Sequence, residues 1–299
     1  MRALPLEPVP GSRWLNRLGW AGTLSAARRF SADAPTMLVI GKPSWLALDL
    51  LARLPQARSV YDAMDDFPAF YQGWSQAAMR RRERQVVARV TVLMVSATEL
   101  AQRWQARRPD LRLVRNGLEP SALPVPVPGA ARRPDPCGPR VLGYLGTVGA
   151  WFDWPWLIRL ARAHPADIVR VIGPVHQPPP GALPANVQLL APCPHDEAMR
   201  HLQAFDLGLI PFVANRLTAS VDPIKYYEYR ALGLPVLSTR FGEMAFRQNE
   251  PGVFLSAADD DLAAVAARAL RETADAGERQ AFIAANSWAA RFDAANLLP

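Results

Sequence analysis

The chain has 299 residues, of which 50% are hydrophobic and 20% charged, a globular composition with length enough for two domains. Its formal net charge of +7 favours an anionic partner: nucleic acid, acidic membrane or phosphorylated ligand. Cys137 and Cys193 make no disulfide framework, no Cys/His cluster has metal-ligand spacing, and no apolar run approaches the ~20 residues of a membrane span.

The first stretch, "MRALPLEPVPGSRWLNRLGW", is broken by prolines and charges and does not read as a signal peptide, so a reducing cytoplasm is the expected compartment. "MLVIG" then reads as a strand, "WLALDLLARL" as a helix, "SVYDAM" as a strand and "MRRRERQVVARV" as part of a long basic helix. The strand "VTVLMVSA", the helix "TELAQRWQARR" and the strand "LRLVRNG" follow. Next comes "EPSALPVPVPGAARRPDPCGPR", whose proline density forbids regular structure. Beyond it the alternation restarts, with strands at "RVLGYLG", "DIVRVIG", "VQLLAP", "LGLIPF", "LPVLST" and "GVFLSA". "AGERQAFIAANSWAARFDAANLL" reads as one long final helix with an apolar stripe.

Apolar strands alternating with amphipathic helices predict parallel sheets covered on both faces, here in two Rossmann-like domains facing a cleft. The expected plan is an N-terminal domain over 1–118, a proline-rich linker over 119–139, a C-terminal domain over 140–275, and a helix over 276–299 packing back toward the first domain. In open α/β sheets ligands bind beyond the carboxyl ends of the strands, so the chemistry is sought there.

After "RVLGYLG" comes "TVGAWFDW". Gly143, Gly146 and Gly149 allow close approach of a ligand, and the helix start near Asp153 offers free amides to an anion. The same glycines also suit an unliganded turn, and the nicotinamide fingerprint G-x-G-x-x-G is absent. In "SVDPIKYYEYRALGLPVLST", Asp222 suits an N-cap and Pro223 the first turn of a helix. Lys225 and Glu228 then lie at i and i+3 on one face. Of the 34 basic residues only Lys42 and Lys225 are lysine. A lysine there suits a diphosphate and the glutamate suits ribose hydroxyls, although a solvated i,i+3 ion pair has the same spacing.

"DPIKYYEYRALGLPVLST" resembles the nucleotide-sugar signature of GT-B glycosyltransferases of the family 4-like group, in which a glutamate opens an E-x-x-A-x-G-x-P-V segment. "VRNGLE" is similar to that group's P-N-G-V-D junction, with Arg115 in the place of proline. "GYLGTVGAWFDWPWLIRLARAHP", "NVQLLAPCPHDEAMRHLQAFDLGLIPF" and "SVYDAMDDFPAF" resemble an exopolysaccharide and surface-glycan branch, so the likeness runs from about residue 37 onward.

The resemblance implies an α/β GT-B fold and transfer of a hexosyl group from a nucleotide diphosphate sugar to a glycan or lipid-linked acceptor hydroxyl. No metal and no cofactor beyond the donor is implied. Glu228 matches the ribose-binding glutamate, Lys225 a basic position near the phosphates, and Gly146 and Thr147 the loop under the diphosphate. Pro192–Pro194, with Cys193 between, matches the region holding the base, and Asp65 the N-domain position facing sugar and acceptor. Tyr226 and Tyr227 are read as packing residues.

Two departures stand out. Ser220 occupies the position of a first glutamate, so that contact is lost or passes to Asp222, and Arg216 and Lys225 must carry the phosphate charge. The N-domain shows four strands where the group has about three more, a shortened domain or one whose start lies upstream. For an inverting reaction Asp65 is the candidate general base; for a retaining one it positions sugar or acceptor. A turn rich in Asp also fits "DAMDD", and His176, His195 and His201 read as loop and surface residues. The basic helix beside Phe67, Phe70 and Trp74 reads equally as a solvated face or as a surface for an anionic membrane, a peripheral site at the inner face of the cell membrane. Nucleic acid is disfavoured because no recognised module accompanies the charge. The rival readings are a non-catalytic nucleotide-sugar-binding partner of a complete transferase and a sugar-nucleotide epimerase.

Overall fold

The computed structural model describes residues 13–124, 138–273 and 275–296. These form two compact units that divide between Val114 and Arg115. Most of the expected linker, and Cys137, lie outside the described residues.

In the first unit, strands β1 (Met37–Ile40), β2 (Arg58–Ala63), β3 (Val92–Val95) and β4 (Arg112–Leu113) make a wholly parallel sheet in chain order. Helices α2 (Trp45–Arg53), α3 (Gly73–Val87) and α4 (Thr98–Trp104) supply the crossovers that parallel pairing requires. Tyr61, Leu93, Val95, Leu48 and Trp104 fill the core. The strand expected at "LRLVRNG" is two residues long, with one further rung from Val114 N to Val95 O at 2.8 Å. The N-terminal stretch, which the sequence reading gives no element, carries a helix, α1 (Arg13–Asp33). Trp20 and Leu24 bury it against Leu46 of α2, and Arg17 pairs with the buried Asp49 at 2.7 Å.

The second unit is a six-stranded parallel sheet in the order β10-β9-β8-β5-β6-β7. Its strands are β5 (Val141–Leu145), β6 (Ile168–Ile172), β7 (Val187–Leu190), β8 (Leu207–Ile210), β9 (Val236–Thr239) and β10 (Val253–Ser256). The order reverses at β5 and β8, the switch point where doubly wound sheets open a crevice. Around them lie α5 (Trp154–Ala163), α6 (His195–Gln203), α7 (Ile224–Ala231) and α8 (Leu262–Arg271). The single long helix expected at the end is instead two, α9 (Ala276–Asn286) and α10 (Trp288–Ala295). The break falls at Ser287, whose hydroxyl accepts from Ala290 N at 3.1 Å and so caps the second helix. At the break Leu118 N donates to Asn286 O and Trp288 N to Leu118 O, each at 3.0 Å, joining opposite ends of the unit. No helix among the described residues is long and apolar enough to cross a membrane.

Candidate functional site

The switch point of the second sheet carries the candidate site. β5 ends at Leu145, and its last backbone N–H donates to the hydroxyl of Tyr229 at 3.1 Å, which fixes α7 against the strand. Gly208 of β8 makes room for that tyrosine, since a methyl group there would sit 2.3 Å from its ring. The chain then turns at Gly146, whose φ of +143° excludes ordinary side chains. A methyl group at Gly146 would sit 2.5 Å from Lys225 Cε and 2.6 Å from its Nζ. From the other side, a methyl at Gly173 would sit 2.4 Å from the Gly146 carbonyl oxygen. The ends of β5 and β6 thus meet backbone to backbone, with the Lys225 side chain laid over Gly146.

Lys225 lies over two rings, its Nζ 5.2 Å from the Tyr144 centroid and 5.9 Å from that of Phe212. Burial pushes its basicity down, opposed by Glu228. Glu228 is half-buried one turn on, and burial pushes its carboxyl up, opposed by Lys225 and then by His195. His195 opens α6, directly after Cys193 and Pro194. Cys193, a free thiol, is half-buried and packs against the core of this unit. The Thr147 carbonyl accepts from the Tyr144 hydroxyl at 2.7 Å, which holds the loop beneath Lys225.

Of the expected residues, then, Gly146, Thr147, Lys225 and Glu228 converge, while Cys193 packs against the core of the same unit. Arg216 is exposed on the loop between β8 and α7. Asp222 departs from expectation. It does not cap α7, whose first turn starts after Pro223 with no side-chain cap. Its carboxylate is buried, pairing with Arg247 Nη2 at 2.8 Å and accepting from Tyr227 Oη and Asn116 N at 2.8 Å each. Asn116 Nδ2 also donates to the Asp222 carbonyl, so the "VRNG" junction is pinned to the entry of α7. A carboxylate with all these donors is held in the interior, which removes it as a substitute for the missing glutamate. Ser220 is also buried, 1% exposed. The two tyrosines read as packing are buried but polar in role, with Tyr226 donating to Glu250 and Tyr227 to Asp222.

The glycine triplet resolves differently from its spacing. A methyl at Gly143 would sit 2.2 Å from the Phe205 ring, and one at Gly149 would sit 2.6 Å from Trp151, so both glycines serve packing. Asp153 closes the other expected anion site: its own carboxylate accepts from Trp156 N at 2.9 Å and occupies the start of α5. Gly173 is the residue that sequence reasoning passes over, while His195, read as a loop or surface residue, is exposed at the start of α6. "RVIGP" repeats the strand-then-glycine pattern of "GYLGT", which was the available signal for Gly173.

In the first unit, Asp65 follows β2 and is half-buried. Burial raises its pKa to about 6, with Asp62 and Asp66 adding repulsion. Asp66 is engaged by Arg103, Nη1 to Oδ1 at 2.7 Å. Glu83 of α3 lies beneath, accepting from the Tyr61 hydroxyl at 3.1 Å, and burial raises it to about 7. Burial thus moves the Asp65 carboxylate toward neutrality from the usual carboxylate range.

No protein-family model matches the chain, and no curated protein matches it. Solved structures do. A sucrose-phosphate synthase from Thermosynechococcus elongatus matches with a TM-score of 0.68 at 16% identity, over 99% of this chain and 84% of its own. The lipopolysaccharide outer core galactosyltransferase WaaB, in its apo form, matches with a TM-score of 0.64 at 12% identity, over 98% and 82%. HepE of Anabaena, solved with UDP and glucose, matches with a TM-score of 0.62 at 14% identity, over 93% and 77%. Likeness across nearly the whole chain at such low identity is a likeness of fold, and the fold of this chain is that of the GT-B glycosyltransferases.

Proposed function

We propose that the chain transfers a hexosyl group from a nucleotide diphosphate sugar to an acceptor hydroxyl. The observation that carries this reading is Lys225 laid across Gly146, with Gly173 beneath and Glu228 one turn away. A cation against a bare backbone at a switch point suits a diphosphate, and a neighbouring carboxylate suits ribose hydroxyls. HepE, a neighbour in fold, is solved with UDP and with UDP-glucose, which supports a uridine donor.

In this reading the bond from the anomeric carbon to the β-phosphate oxygen breaks, and its electron pair leaves with the nucleoside diphosphate. Lys225 and Arg216 stabilise that developing charge without a metal. The acceptor oxygen bonds to the anomeric carbon, and its proton passes to Asp65 when the reaction inverts. The acceptor is a glycan or lipid-linked sugar, in surface-glycan assembly. An anionic membrane fits α3, where Trp74 is 94% exposed, Phe70 lies 54% exposed nearby, and Arg80, Arg81 and Arg84 are exposed. Vesicles containing phosphatidylglycerol should sediment the protein, and Trp74→Ala should weaken this; equal binding would remove the surface.

Calorimetric titration with a panel of nucleotide sugars tests the donor site. Glu228→Ala should weaken the best ligand by roughly 1–3 kcal/mol, the cost of a charged hydrogen bond. An unchanged affinity would take Glu228 out of the site.

A further inference from the structure

Helix α7 has two working faces. At ~100° per residue, Lys225 and Glu228 share one side while Tyr226, Tyr227 and Arg230 share the other. On the second side lies an open-mouthed cavity of about 570 Å³, bounded by α7, the turn at Gly242–Phe246, α9 and α10. Neither Lys225 nor Glu228 lines it. Its volume is in the usual range of small-molecule sites, about 300–1,000 Å³.

Four guanidinium groups line the cavity, and their partnerships differ. Arg247 is committed to Asp222, and Arg115 pairs with Glu243. Arg230 is 6% exposed; its Nη1 donates to Leu234 O at 3.0 Å, but its Nε meets no acceptor among the described residues. Its position is fixed by Gly252, where a methyl would sit 2.2 Å from Nη1. Burial pushes its basicity down. Arg291 Nε also meets no acceptor, although its Nη2 donates to Asn286. Buried charged donors left without acceptors cost free energy that an oxyanion would recover.

The remaining walls narrow the class. Phe246, 59% exposed, and Phe282 offer apolar faces, and Glu250 and Glu278 offer acceptors for hydroxyl groups. We propose that this cavity is a second ligand site for a polyol bearing an oxyanion, a sugar phosphate or a sugar carboxylate. Arg230 and Arg291 bind its phosphate or carboxylate, and Phe246 and Phe282 take the ring.

Calorimetry with glucose 6-phosphate and with glucuronate as probes tests this, using Lys225→Gln protein to silence the donor face. At least one probe should bind, and which one binds identifies the oxyanion. Arg291→Gln and Arg230→Met should each weaken it roughly tenfold or more, the scale of one charged hydrogen bond. Phe246→Ala, at an exposed position that folding tolerates, should also weaken it, while UDP binding to protein with Lys225 intact stays unchanged. Failure of both probes to bind, binding that vanishes with Lys225→Gln, or full affinity in Arg291→Gln or Phe246→Ala would overturn the proposal.

Discussion

At the carboxyl end of β2 the first unit gathers Asp62, Asp65 and Asp66, whereas at the ends of β5 and β6 the second sets one lysine against bare backbone. Both sheets are parallel, and both half-bury a charge at a strand end. The consequences run in opposite directions. Desolvation lifts Asp65 to about 6 and so makes it a proton acceptor near neutrality. The same effect makes Lys225 easier to deprotonate, with Glu228 opposing it. In the first unit burial acts on a carboxylate, in the second on a cation, and one physical effect moves the two groups in opposite directions.

The largest expected effect breaks the acidic side of that comparison. Asp65→Asn should leave donor affinity nearly intact and lower turnover by a factor of roughly 10²–10⁴, the range for a lost general base. Unmodified turnover in this variant would sink the assignment as a base. Steady-state rates with an acceptor from a membrane extract give the measurement.

A smaller effect should come from the basic side. Lys225→Gln should weaken a nucleoside diphosphate by roughly 10- to 100-fold while leaving the bare nucleoside within about twofold, because only the diphosphate carries the neutralised charge. Equal losses for the two ligands would point to a disturbed fold around Gly146.

The smallest effect sharpens the comparison through stability. Asp65 has its folded pKa raised from 3.8 to about 6, so the folded chain binds the proton more tightly than the unfolded one. Its contribution to stability is therefore full below about pH 4 and is lost as pH rises through about 6. Asp65→Asn should accordingly raise Tm by about 2–4 °C at pH 7.5 and leave it unchanged near pH 4. A gain that is the same at both pH values would show that charge is not its cause.

Much of this was legible locally. The strands of the second sheet were marked by apolar runs, and Lys225 and Glu228 by their i,i+3 spacing in a chain with two lysines. Asp222 was misread because its cap signal is local, while the partners that win, Asn116 and Arg247, come from distant parts of the sequence. Gly143 and Gly149 looked equivalent to Gly146, and only the positions of Phe205, Trp151 and Lys225 tell them apart. The prolines up to Pro10 carry no information about residues 13–33, which form α1. The helix break at Ser287 was hidden by an apolar stripe that continues through it, since a cap reorients a helix without changing its composition.

The bridge between Leu118 and the turn at Ser287 has a consequence for how the second unit is built. Its first and last stretches are mutual hydrogen-bond partners, and Gly117 fits so closely that a methyl there would sit 2.9 Å from Asn286 O. Closure is therefore among the most non-local events in folding, and slow for that reason. Until residues 286–288 are available, the junction residues 116–118 lack half of their seat. Ends that lie side by side also make the unit a natural subject for circular permutation, with new termini placed in an exposed loop and the old ones tied together.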